Sequence, residues 1–71
     1  MSYIKLVVTD TVKAWNKGEG IRIKKDNENY PTELFPSDIT IGKETILIHF
    51  GNCKPLIYSF EEIRKFERFS I

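Results

Sequence analysis

The chain has 71 residues, with 11 Lys and Arg against 10 Asp and Glu, a formal net charge of +1. A chain this short buries only about 60% of its unfolded surface, which excludes the deep enclosed site of a larger enzyme and leaves a surface, a groove or an edge strand for binding. The near-neutral balance excludes strong attraction to nucleic acid or anionic membrane by total charge, while 13% aromatics and ten Ile against one Ala exclude a disordered composition and lean toward strand.

Residues 3–8 alternate: Ile4, Leu6 and Val8 take one face, and Tyr3, Lys5 and Val7 the other. The parity continues to Val12 and Ala14, which predicts one long bent strand over residues 3–15 or two short ones meeting near Asp10. A helix over residues 11–16 with Asp10 as N-cap is the weaker option, being short and β-branched. Asn16, Lys17, Gly18, Glu19 and Gly20 form a turn. Ile21, Arg22, Ile23, Lys24 and Lys25 alternate again, so a hairpin is expected between the first segment and residues 21–25.

Residues 30–38 read as irregular, because Pro31 and Pro36 lack donors and restrict Tyr30 and Phe35. Leu34 and Phe35 are expected to tuck onto the core. Residues 39–41 make a short strand and residues 42–44 a tight turn. Residues 45–50 are the strongest strand, with Ile46, Ile48 and Phe50 on one face. Gly51, Asn52, Cys53 and Lys54 connect it to a returning strand over residues 55–58, where Pro55 sits at the strand start. Ser59 and Glu62 match a capping box. Either a helix then runs over residues 60–69, or a short helical turn is followed by a last strand over residues 66–71, with Phe69 and Ile71 on one face. The second reading is preferred, since Phe66, Phe69 and Ile71 make a poor helix end.

The expected fold is therefore a mainly β single domain over residues 1–71. It would be a small barrel or strongly bent antiparallel sheet of five to six short strands, with one short helical turn near the C-terminus. A late hairpin, a helical turn and a final strand resemble the layout of SH3-like barrels. The alternative is an α+β fold with a C-terminal helix over residues 60–69 packed on a meander sheet.

Candidate chemistry is sparse. His49 is the single histidine and Cys53 the single cysteine. A nucleophile needs a positioned base and an orienting group, and zinc needs two ligands beyond these two residues. No catalytic residue, metal site or cofactor is assigned. Glu61 and Glu62 are explained by capping, and Gly18 and Gly20 by turn chemistry. One cluster stands out: Lys13, Trp15, Lys17, Arg22, Lys24 and Lys25, with Tyr30 nearby. On paired strands these would set a tryptophan among cations, an arrangement that serves protein contacts, single-stranded nucleic acid or cation–π packing alone.

These features predict a non-enzymatic interaction module whose partner is another protein, or its own copy through an exposed edge strand. Such a module would also suit a phage- or mobile-element-encoded modulator of a host protein. The alternative is a weak single-stranded nucleic acid or RNA binder using Trp15. A lone cysteine and the lack of a signal peptide or spanning segment place the chain in the cytoplasm, with no membrane partner.

Overall fold

The computed structural model describes residues 3–70. A helix, α1 (Tyr3–Ala14), precedes six strands: β1 (Gly20–Lys25), β2 (Thr32–Leu34), β3 (Asp38–Ile41), β4 (Thr45–His49), β5 (Leu56–Ser59) and β6 (Ile63–Phe69). One 3-10 turn, Phe60–Glu62, joins β5 to β6. The strands form two antiparallel sheets of three, in the orders β2-β1-β6 and β3-β4-β5, called here the β1 sheet and the β4 sheet after their central strands.

The core lies between the inner faces of the two sheets and the apolar stripe of α1. Ile21, Ile23, Ile46, Ile48, Ile63 and Val8 are fully buried, joined by Ile39, Phe60 and Phe66. Truncating one such isoleucine to alanine costs ~2–5 kcal/mol. That is a large share of the ~3–5 kcal/mol that a core of this size supplies in total.

The barrel expected from the sequence is not formed, and neither is the SH3-like layout. The two sheets share no hydrogen-bonded strand, and β6 pairs only with β1. The main cause is the N-terminal segment, which is helix rather than strand. Ile4, Val8 and Val12 recur every four residues, so the residues that alternate also form a helical stripe. That stripe, continued by Trp15, packs on the core, while Leu6, placed inward by the strand reading, stays 49% exposed. The helix also meets the needs of its threonines: the Thr9 hydroxyl donates to the Lys5 carbonyl at 2.7 Å, and that of Thr11 to Val7 at 2.8 Å. Asp10 lies inside α1 and is no cap.

With the first segment helical, the expected hairpin onto residues 21–25 has no partner strand. β1 pairs instead with β2 and β6. The supposedly irregular residues 30–38 therefore contain β2, whose Leu34 faces inward opposite Ile21, while Phe35 turns outward and is half-exposed. The C-terminal helix over residues 60–69 is also absent. The Ser59 hydroxyl accepts from the Glu61 amide at 3.2 Å, and the Ser59 amide donates to the Glu62 carboxylate at 3.0 Å. This capping box starts only one turn, because Ile63 is already extended (φ −86°, ψ 126°). β6 begins there, three residues before the expected last strand. Its Phe69 faces outward, and Ile71 lies outside the described residues.

Candidate interaction surface

The residues singled out by the sequence do not converge on one patch. Lys13 is exposed in the last turn of α1 and Lys17 in the turn beyond it. Trp15 lies between them but is half-buried against the core, and its indole N–H donates to the Glu19 carbonyl at 2.9 Å. Tyr30 is 81% exposed at the far end of β1, in the loop before β2. Lys25 sits over the Tyr58 ring, 5.8 Å from its centroid. Arg22 and Lys24 project from the outer face of the β1 sheet.

That outer face is ordered in rows, because directly opposed residues of antiparallel strands point to the same side. Arg22 lies opposite both Glu33 and Glu67, at 2.8 Å from one carboxylate and 3.8 Å from the other. One row along, Lys24 faces Lys65. In the other direction Phe69 lies over Gly20 and takes the edge of Phe35 at 5.4 Å. Gly20 has no side chain to spare: a Cβ there would fall 2.4 Å from the Phe69 ring. The Arg22 guanidinium covers that ring at 4.5 Å. The arginine is thus held by two carboxylates and a ring.

The outer face of the β4 sheet is built differently. The register places Thr40, Leu47 and Ile57 in one row, Asp38 and His49 in the next, and Thr45 and Ser59 on the other side. Among the described residues Asp38 is the one charged side chain on this face. Ile57 is 64% exposed, Leu47 is half-buried, and the His49 ring bonds the Thr40 hydroxyl at 2.8 Å. The face runs into a groove of about 630 Å³, lined by Thr45 and Ser59 themselves, with Phe60 and the charged Lys5, Lys43, Glu44 and Glu61. Lys5 spans it, donating to the Lys43 carbonyl at 2.8 Å. The face therefore has an uncharged centre with a charged margin.

Both edges of this sheet are blunted. The Phe60 amide donates to the Glu44 carbonyl at 3.1 Å, so by alternation Leu56 and Tyr58 bond to β4 and Ile57 and Ser59 turn their backbone outward. The Ser59 amide is taken by Glu62, and Pro55 has none. On β3 the same logic, from the Gly42–Thr45 bond, turns Ile39 outward, and its amide is taken by the Asp38 carboxylate at 2.9 Å. Few outward donors remain for an added strand.

A readable signal for this face was present in the sequence. Residues 45–60 carry a single charge, Lys54, in a chain that is 30% charged. That Leu47 and Ile57 adjoin on one face, away from Ile46 and Ile48, follows only from the pairing.

Two ionisable groups are displaced from their ordinary range. Glu19 is held below the usual carboxylate range, first by the Asn16 amide and then by Ser70 and Arg68, against some opposing burial. It accepts from the Asn16 amide at 2.8 Å, from the Ser70 hydroxyl at 3.1 Å and from Arg68 at 3.2 Å. Burial pushes the Tyr58 phenol up, aided by Glu28 and Glu62. Neither group adjoins an acid–base partner in a cleft. Cys53 is exposed in the β4–β5 turn, and among the described residues no three His, Cys, Asp or Glu gather as a ligand set. No helix of the described residues is long and apolar enough to cross a membrane.

No protein-family model matches the chain, and neither a curated protein nor a solved structure matches it.

Proposed function

We propose that this protein is a non-enzymatic, cytoplasmic interaction module that binds protein through the outer face of the β4 sheet. One observation carries this reading: the contrast between its two solvent-facing sheet surfaces. The β1 sheet displays Arg22, Lys24, Glu33, Lys65 and Glu67, with Phe69, beneath the Arg22 guanidinium, and Phe35 at one end, whereas the β4 sheet displays Leu47, Ile57, Thr40 and His49 with Asp38 at one corner. Depletion of charge at the centre, with polar and charged groups at the margin, is what distinguishes protein interfaces from ordinary surface. The nucleic acid alternative draws less support, since Arg22, Arg64 and Arg68 are spent on carboxylates and Trp15 is folded against the core.

Site-specific photo-crosslinking tests the reading. A photoreactive residue at Ile57 should yield protein adducts, and the same residue at Lys65, on the opposite face, should not. Absence of protein adducts at Ile57, or equal yields at both positions, would refute it.

A further inference from the structure

We infer that α1 is a reversible cover on an open strand edge, and that residues 4–8 exchange between this helix and an added strand paired with β6. The open edge follows from the register. The Lys25 N–H donates to the Glu28 carboxylate at 3.0 Å, and the Lys25 carbonyl accepts from the Glu28 amide at 3.2 Å, so the Lys25 backbone turns away from β6. By alternation Lys24, Arg22 and Gly20 turn toward β6 and bond their partners Lys65, Glu67 and Phe69. Phe66 and Arg68 therefore turn their own N–H and C=O to the far side, where no strand of the described residues lies.

α1 lies along that side. It packs on β6 and runs in the same direction. Tyr3 and Ile4 share a groove of about 390 Å³ with Ile63 and Arg64 at the start of β6, and Glu19, beyond the helix end, bonds Arg68 and Ser70 near the finish. Phe66 is only 3% exposed. The edge is thus covered but unbonded at its centre, which keeps a backbone donor from both water and a protein partner.

The cover is a weak helix. Six of its twelve residues are β-branched, a single one is alanine, and its first turn carries no acidic residue. A helix of this length is marginal even when rich in alanine, and α1 buries one residue completely, Val8. The same residues suit a strand. In extended form Ile4, Leu6 and Val8 share a face. Leu6, half-exposed on the helix, would then join the apolar side, and the extended backbone would supply the bonds that Phe66 lacks. Conversion would also lift Lys5 from the Lys43 carbonyl and open the groove beside the β4 sheet. The exchange does not depend on what the outer face of that sheet binds.

Saturation-transfer NMR at the carbon nuclei of residues 4–8, which detects slowly exchanging minor states, tests the inference. A minor state of about 1–10% should appear, with the Cα and Cβ shifts of extended backbone. Leu6→Lys should lower its population more than ~10-fold, because the strand buries this side chain and the helix does not. The major state should keep its circular dichroism in that variant. Val7→Ala with Thr9→Ala should lower the population about tenfold by favouring the helix. The inference is overturned by the absence of a minor state or by a minor state with coil shifts. It is equally overturned by a minor state indifferent to Leu6→Lys, or by one that Val7→Ala with Thr9→Ala fails to reduce.

Discussion

Gly20→Ala isolates one contact on the outer face of the β1 sheet. The glycine has ordinary negative φ, so alanine fits its backbone and would stabilise by ~0.4–1 kcal/mol through the unfolded chain. Its Cβ, however, would lie 2.4 Å from the Phe69 ring, and the ring must swing away. Leaving its place forfeits the Arg22 contact, worth ~0.5–1 kcal/mol, and the Phe35 contact, worth ~0.5–1.5 kcal/mol. The net is a loss of about 1 kcal/mol, near 5 °C in melting temperature for a domain of this size. With Phe69→Ala already in place the obstruction is gone, and Gly20→Ala should then stabilise. The assay is chemical denaturation of the four proteins of this double-mutant cycle. A stabilising Gly20→Ala in the presence of Phe69, or an unchanged loss in its absence, would refute the reasoning.

Trp15→Phe should cost ~1–2 kcal/mol, the indole N–H bond to Glu19 plus some packing, measured by urea unfolding; a neutral effect would mean that the indole is solvated. Glu19→Gln should flatten the acid limb of the stability curve. The carboxylate is held low in the folded state, so its contribution is full above the ordinary carboxylate pKa and is lost as pH falls through the lowered one. Urea midpoints across the acid range should converge for the two proteins at the lowest pH. Tyr58→Phe should remove a phenol that ionises above the ordinary tyrosine range. Below that range the neutral phenol costs nothing. Above it the unfolded chain ionises first and stability falls, so ultraviolet titration of the wild type should show a late component that the variant lacks.

Much of the strand pattern was legible because it is local. Period-two alternation marked β1 and β4, glycine and asparagine marked the turns between them, and Ser59 with Glu62 marked the 3-10 turn. α1 was not legible because residues 4–12 satisfy two periods at once. Which period prevails is decided by what lies across from them: Ile63, Phe66 and Phe60 need a cover, and a helix supplies a wider apolar stripe than a strand. β2 was hidden for a similar reason, since its three residues acquire their role only by pairing with β1, nine to thirteen residues earlier. Of the basic cluster around Trp15, the residues were visible but their commitments were not. That Arg22 is held by Glu33 and Glu67, and that Trp15 is folded inward, depends on partners up to 45 residues distant in the chain.

The junction at Glu19 has a consequence for how the molecule holds together in time. This carboxylate ties the end of α1 to Arg68 and Ser70, across 49 and 51 residues of chain. The adjoining pair Gly20–Phe69 closes a loop of the same length, and the exposed clasp adds to that pairing at the chain's end, so it is expected to form only after β1 and β6 have paired. An interaction absent from the transition state leaves the folding rate alone and slows escape from the native state. Glu19 would thus act less as a builder of the fold than as its bolt, setting how long the native state persists once formed.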